Sequence, residues 1–221
     1  MAKKKKAKVP TLAKTQRKFA SIMSFDMGVK NCAYAVLKNK KLMDLGFFQA
    51  TISNLIDPYF NIDLDKFVVE FTGLLDKHKP DAIVAERFQN RGMFRGNGSE
   101  LINIMIGLMA RICHERKIYI MLIPAAQWKT QFNRNFEHMS RTILVKTKEK
   151  KQTALEVLYE SLLPFPNHPI DAHLQGWYLA NLLEKNQYTT WKAAPLKRLS
   201  KTWMKEHSNG SKAKRKKQSK R

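Results

Sequence analysis

The stretch Ser21-Ile22-Met23-Ser24-Phe25-Asp26-Met27-Gly28-Val29-Lys30-Asn31 decides how this chain is read. Its first five residues are an apolar, β-prone run, Asp26 closes the run, and Gly28 turns the chain two residues later. A carboxylate at the end of a buried strand is costly unless a cation neutralises it. Two more acids stand in comparable places. Glu86 closes Ala82-Ile83-Val84-Ala85, and Asp171 opens an apolar helical segment. Carboxylates suit hard divalent ions, and a pair of such ions can clamp a phosphodiester for in-line attack. Three such acids therefore point to phosphoryl-transfer chemistry on nucleic acid. Each also has a plainer use: Asp26 as a turn cap beside Gly28, Glu86 as a partner of Arg87 or Arg91, Asp171 as a helix N-cap.

Outward from that strand, the pattern alternates strands and helices. Residues 21–26 and 32–38 read as strands about the Gly28 turn, and Lys41 to Ala50 as a third after the polar turn Lys38-Asn39-Lys40-Lys41. From Asp63, the apolar positions Leu64, Phe67, Val68, Phe71, Leu74 and Leu75 recur at helical spacing, and Pro80 ends that helix before the strand at 82–86. Arg87 to Asn97 reads as a loop, Leu101 to Glu115 as an apolar helix, Ile118 to Ile123 as a strand, and Pro124 starts a short helix carrying Trp128 and Phe132. A basic loop around Arg141 to Lys151 leads to a helix from about Gln152 to Leu163, a break at Pro164 to Pro169, and a last helix from Ile170 to Leu183. A β-meander followed by alternating helices and strands is an α/β layered domain.

The 221 residues carry a formal charge of +23, which favours a polyanionic partner. The charge sits at the ends. Residues 1–20 hold eight Lys or Arg and no acid, and residues 192–221 hold twelve with one acid. The expected organisation is a flexible basic arm over 1–20, one domain over 21–190 and a basic tail over 191–221, the arms serving either DNA binding or nuclear targeting. Cys32 and Cys113 lack the spacing of a zinc site and read as buried thiols in a reducing compartment. No apolar run reaches membrane-spanning length, and the lysine-rich start is not a secretory signal, so the expectation is an intracellular protein, cytoplasmic or nuclear, with no membrane partner and no small-molecule cofactor.

Ser24-Phe25-Asp26-Met27-Gly28-Val29-Lys30-Asn31 resembles the first catalytic strand of the RuvC-type Holliday junction resolvases, and its Asp-x-Gly-x-x-Asn form is similar to the poxviral and mitochondrial branches, which suggests a viral or phage member. Pro80-Asp81-Ala82-Ile83-Val84-Ala85-Glu86 resembles the family's second acidic strand. The helix at 101–115 resembles its dimerisation helix, Pro124-Ala125-Ala126-Gln127-Trp128-Lys129 the segment after the fifth strand, and His168-Pro169-Ile170-Asp171-Ala172 its last acidic motif. The match runs in order over roughly 21–185, leaving both tails outside. It implies a ribonuclease H-like fold, a mixed five-stranded sheet with helices on both faces.

The resemblance also implies the site. Asp26, Glu86, His168 and Asp171 would hold two Mg²⁺ ions, with Mn²⁺ as a substitute, and Lys151 would stand near the scissile phosphate. Many family members have aspartate where this chain has His168; imidazole is an acceptable ligand for Mn²⁺. His173, one turn further, reads as packed or solvent-facing. Arg87, Phe88, Arg91, Phe94 and Arg95 alternate basic and aromatic side chains after Glu86, a composition suited to gripping phosphate and stacking on an unpaired base. Phe88 or Phe94 would be the wedge. Lys129, Lys146, Lys148, Lys150 and Lys151 extend the DNA surface.

Apolar residues surround most of the 101–115 helix, and Gly107 and Ala110 permit close approach, so a homodimer across this helix is expected; a helix fully buried in a monomer is the other reading. The function expected is a junction resolvase that nicks paired strands of four-way DNA. Two other readings stay open: a broader nuclease of branched DNA and flaps, and a catalytically inactive nucleic-acid-binding module.

Overall fold

The computed structural model describes residues 19–28, 31–48, 64–87, 97–145, 148–182, 194–202 and 204–205, residues 97–100 by backbone alone. Its centre is a five-stranded mixed sheet in the order β3-β2-β1-β4-β5. β1 (Ser21–Asp26), β2 (Cys32–Lys38) and β3 (Lys41–Phe48) form the antiparallel meander. β4 (Ala82–Arg87) and β5 (Tyr119–Pro124) run parallel to β1 on its other side. The β2–β3 turn places Asn39 and Lys40 at φ 47° and 64°, the left-handed pair that matches strand twist, which explains an asparagine there. At the other turn, a Cβ on Gly28 would lie 2.4 Å from the Asn31 carbonyl oxygen, so that close approach requires glycine.

Strand alternation separates two cores. One face carries Met23, Phe25, Val36, Ile83 and Ala85 and is covered by α1 (Asp65–His78) and α2 (Asn97–Glu115). α1 brings Phe67, Phe71 and Leu75, spaced four apart, onto it; the Phe71 ring meets Phe25 edge-on at 5.3 Å. The other face carries Ile22, Ala33, Ala35, Leu37, Ala82 and Val84. It is covered by α3 (Ala125–Asn135), α4 (Ala154–Ser161) and α5 (Asn167–Leu182). α5 lies directly on β1 and β2, and Gly176 permits this: a Cβ there would fall 2.5 Å from Leu37 Cδ1 and 2.7 Å from Ser24 Oγ. Both cysteines are buried free thiols, pushed up to about 12 chiefly by burial.

The structure departs from the sequence expectation in four places. The basic loop at 141–151 is a hairpin, β6 (Arg141–Val145) with β7 (Lys148–Gln152), because Thr142-Ile143-Leu144-Val145 is a β-prone run facing the lysines of β7. The next helix starts at Ala154, with Thr153 and Glu156 forming a reciprocal capping box. α5 begins at Asn167, which places Pro169 in its first turn and Asp171 inside the helix, so Asp171 is not an N-cap. Residues 194–202, at the head of the segment read as a tail, are helical and bury Leu196 in the same core as α5. Among the described residues no helix is long and apolar enough to cross a membrane.

Candidate active site

The alternation that builds the core also aims the acids. Asp26 follows Ile22 and Ser24 on the α5 side of β1, and Glu86 follows Ala82 and Val84 on the same side of β4. The parallel register pairs Phe25 with Ala85, so the two acids stand side by side at the C-terminal end of adjacent strands, where open α/β sheets place ligands. The first turns of α5 close the group: His168 Nδ1 lies 2.6 Å from Asp26 Oδ2, and Asp171 follows three residues on, toward the same side of the helix.

Each carboxylate is held by a donor of its own. The Trp128 indole N–H donates to Glu86 Oε2 at 3.3 Å, from a side chain that is itself wholly buried on α3. The Tyr159 phenol of α4 donates to Asp171 Oδ1. Lys129 Nζ stands 3.8 Å from Asp171 Oδ2. Neither tyrosine nor tryptophan was marked by the sequence, because nothing in an isolated helix distinguishes a core aromatic from one whose polar tip meets a carboxylate. The Trp128-Lys129 pair inside the Pro124–Lys129 motif was the one available signal.

The electrostatics are those of crowded negative charge. Asp171 is raised from its ordinary 3.8 to about 7, first by burial, then by the charges of Asp26 and Glu86, while the Tyr159 hydrogen bond and Lys129 act in the other direction. His168 is shifted up, chiefly by its hydrogen bond to Asp26, with burial opposing. The hydrogen bond thus favours positive charge on the imidazole beside Asp26. Among the described residues no three His, Cys, Asp or Glu side chains already stand close enough to enclose an ion. The donor set nonetheless fits one: three carboxylates and an imidazole, with Asp171 at an unfavourable charge, form the kind of site that a hard divalent cation relieves.

Lys129, expected on the DNA surface, stands beside the acids. Lys151 lies on the exposed hairpin with Nζ 3.4 Å from Glu137, and Lys150 reaches Glu156 at 3.9 Å. Arg87 and Lys148 are exposed at the ends of β4 and β7. Phe88, Arg91, Phe94, Arg95 and Lys146 lie outside the described residues. His173 is buried in α5 and shifted down to about 4 by that burial, the packed alternative of the two considered for it.

No family model and no curated protein matches this sequence. Solved structures do match its fold. RuvC of T. thermophilus, in complex with a Holliday junction substrate, superposes with a TM-score of 0.50 at 14% identity over 76% of this chain and 96% of its own. The yeast mitochondrial Holliday junction resolvase Ydc2 superposes with a TM-score of 0.50 at 13% identity, over 76% of this chain and 81% of its own. The chain has the RuvC-like, ribonuclease H-like fold.

Proposed function

We propose that this chain is a metal-dependent Holliday junction resolvase, an endodeoxyribonuclease that nicks paired strands of four-way DNA. The observation that carries the reading is the convergence of Asp26, Glu86, His168 and Asp171, from two parallel strands and one helix, at a single end of the sheet. Asp26, Glu86, His168 and Asp171 would hold two Mg²⁺ ions, or Mn²⁺ in their place. Bound there, such ions would activate water and stabilise charge on the phosphate. Lys129, beside Asp171, is placed to meet a phosphate oxygen that approaches the acids. The exposed Arg87, Lys148, Lys150 and Lys151, together with Phe88, Arg91, Phe94, Arg95 and Lys146, would make the DNA surface, with Lys151 gripping phosphate from the hairpin.

The dimer would form across α2. Most apolar residues of that helix turn into the core, which leaves Ile104, Gly107 and Arg111 on the exposed face; Gly107 has open space around it. A two-fold arrangement would present two identical acidic sites to opposed strands of a nearly symmetric junction.

Cleavage of synthetic four-way, three-way, flap and linear duplex DNA with Mg²⁺, Mn²⁺ or EDTA tests the reading. Paired nicks in the four-way substrate, lost in EDTA, are expected. Equal cutting of three-way and flap DNA would replace it with the broader nuclease. Tight binding without cleavage under any metal would leave only the binding module.

A further inference from the structure

We propose that Tyr159 is a positioning residue for Asp171: its phenol holds one carboxylate oxygen from α4 and leaves the other, on the Lys129 side, open to a cation. The two oxygens have different partners. Oδ1 accepts from Tyr159, and Oδ2 faces Lys129 across 3.8 Å. Free rotation of the carboxylate would exchange them, so the phenol sets which oxygen is available to a cation.

α4 is built to keep that hydroxyl in place. Its first turn is closed by the Thr153–Glu156 capping box, and the backbone N–H of Leu155 donates to Asn133 Oδ1 of α3 at 2.9 Å. Leu155 and Leu158 are buried in the core beneath. On the far side of Tyr159, Glu160 accepts from both Arg141 and Gln152 at the base of the β6–β7 hairpin. The residue is thus pinned before and after itself. A phenol keeps its proton at neutral pH, so it donates to the carboxylate. A neutral donor suits this position because it orients a carboxylate without cancelling the charge a cation needs, and loss of such an outer partner commonly lowers metal affinity ten- to a hundredfold.

The inference rests on the metal-binding reading above, and Mn²⁺ binding by the full chain separates the two. Wild type, Tyr159→Phe, Asp171→Asn and the double variant are titrated with Mn²⁺ and followed by the electron paramagnetic resonance signal of the free ion. Tyr159→Phe should weaken binding about ten- to a hundredfold. Added to Asp171→Asn it should weaken binding no further, a coupling that a general loss of packing would not produce. Wild-type affinity in Tyr159→Phe, or additive losses in the double variant, would overturn the positioning role alone. Absence of Mn²⁺ binding by wild type would overturn the metal reading and this role with it. A second measurement covers the case in which Tyr159→Phe does not fold: in 3-fluorotyrosine-labelled wild type, Mg²⁺ should shift a fluorine resonance that no longer responds in Asp171→Asn. A spectrum indifferent to Mg²⁺ in wild type that binds Mn²⁺ would refute the proposal.

Discussion

Asp171→Asn should make the metal-free protein more stable, even though the reading above makes that variant inactive. The side chain is only 13% exposed and its pKa is raised from 3.8 to about 7. The folded protein therefore holds this proton to higher pH than the unfolded chain does. Between the two values, raising the pH favours unfolding: the contribution is fully present below the unfolded pKa and lost as pH rises through the folded one. A gap of about three units at ~1.4 kcal/mol each gives a loss of roughly 4 kcal/mol above pH 7, and only about 1.5 kcal/mol by pH 5. Asparagine removes the charge but keeps an oxygen to accept from Tyr159, so its benefit should follow the same curve. Urea unfolding in EDTA at pH 5 and pH 8, at one ionic strength, measures it. The variant should exceed wild type by about 2–4 kcal/mol at pH 8, with the difference shrinking by more than half at pH 5. A variant no more stable than wild type at pH 8, or a difference independent of pH, would refute the picture of a carboxylate raised by burial and by its acidic neighbours.

Asp26→Asn and Glu86→Gln should each abolish junction cleavage while leaving binding intact or tighter, since each removes a negative charge from a surface that meets phosphate; a wild-type cleavage rate would remove that residue from the site. His168→Asp should retain activity and shift preference toward Mg²⁺ over Mn²⁺ through an all-oxygen donor set, and a folded but inactive variant would count against His168 as a ligand. Gly176→Ala should cost about 1–3 kcal/mol in urea unfolding, because its methyl would crowd Leu37 and Ser24 beneath α5. Deleting residues 206–221 should weaken binding to all DNA and flatten its salt dependence, whereas deletion from 194 should in addition lose about 2–5 kcal/mol of stability with the buried Leu196; equal stability of the two truncations would disprove the packing of that helix.

The sequence by itself determined the layered order of the fold and the placement of Asp26 and Glu86 at strand ends. Both depend on local pattern: the unbroken apolar runs that begin Ser21–Asp26 and Ala82–Arg87 mark strands buried on both faces and leave a carboxylate at each strand end, and fourfold spacing of Phe67, Phe71 and Leu75 identifies a helix without reference to any other element. The 141–151 segment reads as a loop in sequence because its lysines mask a β-prone run, whose pairing shows only when both strands are taken together. What the acids touch was decided by tertiary structure alone. His168 meets Asp26 across 142 residues of sequence, Trp128 meets Glu86 across 42, and Lys129 reaches Asp171 across the α3–α5 packing. Such contacts depend on how α3, α4 and α5 pack on one face of the sheet, to within about an ångström. Binary patterning sets which face a helix buries but not its rotation or its shift along the sheet, and the polar tip of a buried tryptophan or tyrosine is placed by those two quantities.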